Sequence, residues 1–392
     1  MMSGITARSA CSESDACHVC GEAALDDIPD FSAFRRVTSD CRPWPAGGRL
    51  CICGSCGCVQ SPADAAFLRD AAAIYAGYAI YHQSGGAEQA VFNASGQAVS
   101  RSSRLVESLR SHLPLPPKAR LLDVGCGNGA TLRAFSEAEP GWSLAGIELD
   151  DRNRRQIESI PRVESLHTCA LQVVPGCFDV VTMVHVLEHV PRPAEFLAHA
   201  RDKLTGDGLL IVEVPDYTRN PFELLIADHC THFSAATAAL LLPRAGYAPA
   251  VVAEGWVPRE LTVVARVAAT PPPLPRQATL PAAIRESVED DLRWLSRVIG
   301  AARAMAQRGP FGLFGTSIAA AWLLGEFEKA VSFFVDEDPN RVGNTCLGRP
   351  VYHPSQVPAG SRVLLALPAE VAVRIHSRIA RGNVVYVLPP AR

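Results

Sequence analysis

The chain reads as an α/β protein in three parts: a cysteine-rich N-terminal module, a doubly wound parallel α/β core, and a second, smaller α/β domain. Three observations predict this. Eight of the 13 cysteines fall within the first 58 of 392 residues. From about residue 115 to 270, apolar runs alternate with helical stretches, the pattern of a parallel sheet with helices on its faces. A second glycine turn, at Gly315, follows the apolar run Phe311–Phe314 and repeats that pattern on a smaller scale. The length suits two or three domains rather than one. Composition is that of a globular protein, with 48% hydrophobic and 20% charged residues, and no apolar run approaches the roughly 18 residues a membrane helix needs. Residues 1–15 are small and polar, without a basic-then-apolar leader, so a cytoplasmic protein away from membranes is expected. Net charge is −3, which argues against a surface built for nucleic-acid backbones.

In the first part, Cys17-His18-Val19-Cys20 and Cys53-Gly54-Ser55-Cys56 form two C-x2-C pairs. Each pair on a tight turn sets two thiolates on one side of a tetrahedral ion, and four thiolates close a structural Zn2+ site with no position left for water. In a reducing compartment such clustering points to metal more than to disulfides. Cys11, Cys41, Cys51 and Cys58 are alternative ligands, and the 32 residues between the pairs are long enough for a small substructure. Residues 1–70 hold six Arg, no Lys and nine Asp plus Glu, so the module should repel phosphate backbones and serve as scaffold or substrate lid.

The core opens with a buried strand over residues 119–124, which enters Gly125-Cys126-Gly127-Asn128-Gly129 and then the helix Ala130–Ala138. A glycine turn between strand and helix lets backbone N–H groups approach a ligand. Alone that pattern is weak. It gains force from the strand Ser143–Ile147, which ends in Glu148 about 20 residues on, where an acid can accept both hydroxyls of an adenosine ribose. Leu132 stands where a dinucleotide fold would carry its third glycine, and Asp123 is placed to meet the amino group of a cationic ligand.

These positions resemble the first motif of class I S-adenosylmethionine (SAM)-dependent methyltransferases. The likeness continues through Phe178-Asp179-Val180-Val181, Val186-Leu187-Glu188-His189-Val190 and Gly208-Leu209-Leu210-Ile211-Val212-Glu213-Val214-Pro215. It implies that Asp123, Gly125, Gly127 and Glu148 contact SAM, with Ala170 and Leu171 beside the adenine. The acid often found at that last place is missing. His189 belongs to a VLEH stretch shared across the superfamily whatever the substrate, and gets no substrate-specific role.

A proline-rich linker over residues 270–275 is followed by a long amphipathic helix at about 281–307. Next come the strand Phe311–Phe314, a helix over 317–327, and the strand Val331–Val335 ending in Asp336. The last unit either binds a ligand or is a structural half-fold that binds nothing. The domain boundaries expected are 1–70, 71–269 and 276–392. Over nearly the whole chain, this order resembles the three-part C-methyltransferases that act beside the ketone of nucleotide-linked keto-deoxysugars. The resemblance implies the four-cysteine zinc site and a last domain that helps hold the nucleotide-linked sugar.

Carbon methylation next to a ketone needs a base, and a histidine oriented by a carboxylate suits the task. After the fifth core strand the chain reads Asp228-His229-Cys230-Thr231-His232-Phe233-Ser234, where the family carries Glu-His and an aromatic-Phe-Ser ending. His229 is the candidate base, Asp228 its orienting acid, and His232 takes the aromatic's place at the substrate. Metal binding by the D-H-x-x-H cluster, or plain packing of a substrate cap, are the other readings. Tyr75, Tyr78, Tyr81, His82 and Ser84 match a Tyr- and Ser-rich segment that contacts sugar in the family; Tyr78 and Tyr81 are the substrate candidates, against a helix face that merely packs. The family's His-Gly-Gly-Ser is replaced by Glu254-Gly255-Trp256-Val257-Pro258-Arg259-Glu260, which leaves a changed sugar, a non-sugar acceptor, or O- or N-methylation open. An RNA methyltransferase and a non-catalytic SAM-binding partner subunit are the remaining rivals.

Overall fold

The computed structural model describes residues 16–79, 81, 84–92, 98–270, 280–380 and 382–392. Cys11, His82 and, from Pro271 on, the expected linker lie outside the described residues. The central sheet has seven strands: β1 (Arg120–Val124), β2 (Ser143–Ile147), β3 (Val163–His167), β4 (Phe178–Val184), β5 (Leu204–Pro215), β6 (Tyr247–Glu254) and β7 (Glu260–Val267). Their order is β3-β2-β1-β4-β5-β7-β6, parallel except for β7, which runs antiparallel to both β5 and β6. This is the α/β fold of the class I methyltransferases.

The strands are apolar on both faces because both faces are covered. Leu121, Val180, Leu209 and Ile211 face one layer, built on the helices Arg101–His112 and Ala130–Ala138. Their neighbours Leu122, Val181, Leu210 and Val212 face the other, where the helices Pro193–Arg201 and Ala235–Arg244 lie. The one-residue alternation follows from the pleat. Cys17, Val19, Cys53 and Cys58 of the first module pack on this second face.

The first module is a small sheet whose fourth strand comes from the core. Leu25–Asp27, Cys51–Cys53 and Val59–Gln60 pair in turn, and Thr231–His232 adds to Val59–Gln60 in antiparallel register. Between the cysteine pairs sits the expected substructure, a hairpin of Arg36–Val37 with Pro43–Trp44.

The last domain has β8 (Phe311–Phe314), β9 (Val331–Val335), β10 (Arg349–Tyr352), β11 (Arg362–Leu365) and β12 (Val385–Val387). They form a parallel sheet in the order β10-β9-β8-β11-β12, with Thr345–Cys346 hairpinned onto β10. One hydrophobic core joins this domain to the first module through the core's own loop. Phe222, fully buried, sets its ring 5.3 Å from Trp294 and 5.9 Å from Trp322. Trp322 Nε1 donates to the Arg35 carbonyl at 3.0 Å. Emptying a ring from such a junction costs about 3–5 kcal/mol, so the three parts hold one another in place.

Candidate active site

Two regions meet at the C-terminal edges of the parallel strands. The first is the glycine turn after β1. Gly125, Gly127 and Gly129 all have positive φ (70°, 58° and 84°). A Cβ on Gly125 would lie 2.5 Å from Val186 Cγ2, so the turn is confined to glycine on both counts. Asp123 is 2% exposed and accepts from Thr182 Oγ1 at 2.7 Å through Oδ1, while Oδ2 has no partner among the described residues. Burial, with the nearby Glu148 charge, pushes its carboxyl up to about 7. A buried carboxylate oxygen without a donor fits a cationic ligand. Glu148 ends β2 half-buried; its two oxygens accept from Gly127 N and Leu149 N, each at 2.7 Å. Ala170 is exposed and Leu171 buried, at the turn following β3, beside the strand that carries Glu148.

The second region is a cleft of about 160 Å3 lined by all three parts of the chain. The first module contributes Ser39, Asp40 and Cys41 from its hairpin; β4 and the turn after it contribute His185, Glu188 and His189; the last domain contributes Ser317, Arg341 and Pro368, among others. Tyr78, Tyr81 and His229 line it as well. The helix Ala65–Ala76 ends before Tyr78, so Tyr78 and Tyr81 are not part of a helix face. Of seven non-glycine residues with positive φ among the described residues, four (Cys41, Tyr81, His185 and Arg259) line this cleft. Strain of that kind gathers where function over-determines the backbone.

His229 is 4% exposed, and burial together with the neighbouring His189, His232 and His185 holds its imidazole well below the usual range, hence neutral at pH 7. Its carboxylate neighbour is Glu223, whose Oε2 lies 3.8 Å from His229 Nδ1. Asp228 does not take that place. Its carboxylate accepts from Ser39 N at 2.9 Å and Ser39 Oγ at 2.5 Å, and lies 3.6 Å from His189 Nδ1. The expectation that Asp228 orients His229 is therefore corrected: Asp228 and His229 sit at a turn closed by His229 N on the Ile226 carbonyl, and the Asp228 carboxylate faces Ser39 of the cysteine module. Glu223 sits in a short 3-10 helix, Pro221–Leu225, that no periodicity signalled; burial and the Glu260 charge push it up to about 7.

His232 is likewise corrected. It is 2% exposed, does not line the cleft, and pairs with Val59 in the first module's sheet, with both ring nitrogens unpartnered. Alternation along Thr231–His232 turns it into the seam, and burial lowers it to about 3.

His189 earned no specific role from its motif, yet it reaches the cleft. Its Nδ1 donates to the Asp228 carbonyl at 2.9 Å, and its ring meets that of His229 edge-on at 4.6 Å. Arg101, also unforeseen, donates to Glu260 Oε1 at 2.6 Å and lies 3.9 Å from Glu213. No sequence spacing links these residues: Arg101 opens the helix Arg101–His112, and His189 ends the short helix after β4.

The four sulfurs of Cys17, Cys20, Cys53 and Cys56 all lie within 4.8 Å of one another, with Cys17 to Cys56 and Cys20 to Cys53 at 3.5 Å. That spacing fits a single tetrahedral ion. Cys51 instead donates to Asp27, and Cys58 to the Val59 carbonyl.

Comparison with known proteins agrees with this fold. A model described as a methyltransferase domain matches residues 99–252. The mitochondrial ubiquinone biosynthesis O-methyltransferase of Saccharomyces cerevisiae is 31% identical over 114 residues, covering 27% of this chain and 36% of that protein. The ubiquinone biosynthesis O-methyltransferase of Pseudomonas aeruginosa is 33% identical over 116 residues, covering 28% and 48%. The chain thus spans less than half the length of these curated relatives. Among solved structures, the SAH-bound form of a methyltransferase in calicheamicin biosynthesis is 18% identical, covers 43% of this chain and 54% of that one, and has a TM-score of 0.37. Among the described residues no helix is long and apolar enough to cross a membrane.

Proposed function

We propose that the chain is a SAM-dependent methyltransferase whose acceptor is a small metabolite held in the three-part cleft, with a nucleotide-linked keto-deoxysugar methylated at carbon as the preferred substrate. SAM supplies an electrophilic methyl group. Asp123 receives its ammonium, Glu148 its ribose, and the Gly125 and Gly127 backbone lies along it, with Ala170 and Leu171 at the adenine. The observation that carries the acceptor reading is the cleft itself: it adjoins the glycine turn through Val186, contains a neutral histidine, and is closed by the last domain. The acceptor's proton leaves at the His229–Glu223 pair, and Tyr78 and Tyr81 line the acceptor's path. Cys17, Cys20, Cys53 and Cys56 would hold Zn2+, which four thiolates bind as a closed structural site with no catalytic position. A cleft of about 160 Å3 and an acid-rich first module both speak against RNA as acceptor.

Mass spectrometry of a dTDP-4-keto-6-deoxysugar incubated with the enzyme in D2O, with and without SAM, tests the reading. Deuterium entering beside the ketone, plus a methyl gain when SAM is present, is the expected result. O-methylation is the second reading, favoured by the O-methyltransferase relatives, and would show as a methyl gain without carbon-bound deuterium.

Asp123 gives a separate prediction. Its carboxyl titrates near 7 in the free protein, and only the anion attracts an ammonium. Below that pH each unit should therefore weaken SAM binding about tenfold. Asp123→Asn should bind about 10–100-fold more weakly at pH 7.5 and lose the pH dependence. Calorimetric titrations between about pH 5.5 and 7.5 check both; a wild-type affinity flat across that range removes Asp123 from the ammonium site.

A further inference from the structure

Glu188 presents a problem that the methyl-transfer reading leaves unsolved. It is 1% exposed, lines the cleft, and neither carboxylate oxygen has a hydrogen-bond partner. His185 Nδ1 lies 3.2 Å from Oε1 and is its ion-pair partner when protonated, which leaves Oε2 as the oxygen without a donor among the described residues. A buried carboxylate left like this is expensive unless a cation meets it. Ligand atoms of Glu188, His189 and His229 all lie within 4.8 Å of one another. His189 is already oriented as ligating histidines are. Its Nδ1–H is held by the Asp228 carbonyl, with the Asp228 carboxylate 3.6 Å away, so the lone pair is left on Nε2. Asp228 is in turn fixed by Ser39.

We propose that Glu188, His189 and His229 bind a divalent transition-metal ion that holds the acceptor's oxygen. The proposal rests on the methyltransferase reading for its role, though not for its test. Two imidazoles and one carboxylate suit Mn2+, Fe2+ or Zn2+ better than Ca2+, and leave positions open for the acceptor. A second trio in the cleft, His185, Glu213 and Glu260, has comparable spacing but is already served by a cation: Arg101 bonds Glu260 at 2.6 Å and lies 3.9 Å from Glu213. With the ion in place His229 is spent as a ligand, so of the His229–Glu223 pair it is Glu223 that takes the proton from the acceptor's carbon or hydroxyl, through Oε2. The electron pair left behind is stabilised on the metal-held oxygen. That pair then forms the bond to the methyl carbon as the sulfonium C–S bond breaks, its electrons remaining on sulfur.

Mn2+ is the probe, because hard Mn2+ does not displace an ion from four thiolates. Full-length protein with its cysteine-bound ion intact is titrated with MnCl2 while the free aquo-ion EPR signal is followed, without acceptor. One Mn2+ per chain is expected, weakened about 100-fold or more in Glu188→Gln and in His229→Ala, and unchanged in Glu213→Gln. No uptake overturns the proposal, as does uptake that survives both ligand variants or is lost only in Glu213→Gln. SAM affinity is measured on the same samples. SAM binding without Mn2+ uptake sinks the ion alone, whereas loss of both sinks the methyltransferase reading with it.

Discussion

His229→Ala is expected to lower methyl transfer by about 10²-fold or more while SAM affinity stays within about twofold. The separation follows from geometry. His229 stands in the cleft after β5, whereas the cofactor cradle is built from the ends of β1 and β2, and the two share no side chain. A buried ring can also matter by filling space, so His229→Asn is the control: it keeps polar volume, restores stability if packing was the issue, and should not restore turnover. Two neighbours then separate roles that the sequence had merged. Glu223→Gln should cut kcat, because Glu223 is the carboxylate facing His229 at 3.8 Å. Asp228→Asn should act mainly on the acceptor's KM, because Asp228 pins the Ser39 loop against His189. Steady-state kinetics of the three variants decide this, and a large kcat loss confined to Asp228→Asn would restore the sequence reading.

That reading went wrong for a physical reason. Sequence shows order along the chain, so it is most legible where chemistry is local. The turn from Asp123 to Gly129 with Glu148 is one strand–turn–helix and the next strand's end, so its spacing can be read directly. The structure gathers the sulfurs of Cys17, Cys20, Cys53 and Cys56, whereas Cys51 donates to Asp27 and Cys58 to the Val59 carbonyl. The cleft is different in kind. Glu223, Glu188, Arg101 and Ser39 come from segments with no common period, and only the packing of Phe222 against Trp294 and Trp322 closes the last domain over them. His189 was visible as a motif member, but a shared motif says nothing of where its ring points. His185, Tyr81 and Arg259 carry their signal in backbone angles, which no composition or spacing reveals.

Replacing both Cys53 and Cys56 with Ser is expected to release one zinc per chain and to lower stability by several kcal/mol, since binding energy at a structural site is folding energy. Its functional effect should fall unevenly. The cysteine module supplies Ser39, Asp40 and Cys41 to the cleft, holds Asp228, and pairs Val59–Gln60 with Thr231–His232 next to His229. The cofactor turn rests on the opposite layer of the sheet, where Cys126, Leu132, Leu144 and Ile157 pack together. Acceptor turnover should therefore collapse while SAM binding, measured below the lowered melting temperature, persists at reduced affinity. Metal analysis, thermal melts and calorimetry on one preparation make the comparison. Full metal content in the double variant would show the ligand set wrong. Equal losses of SAM and acceptor binding would mean that the module supports the whole fold and has no particular bearing on the cleft. The metal content should also be read together with the Mn2+ titration, because the two sites use donors of opposite character: four soft sulfurs behind the sheet, and two nitrogens with one oxygen in the cleft.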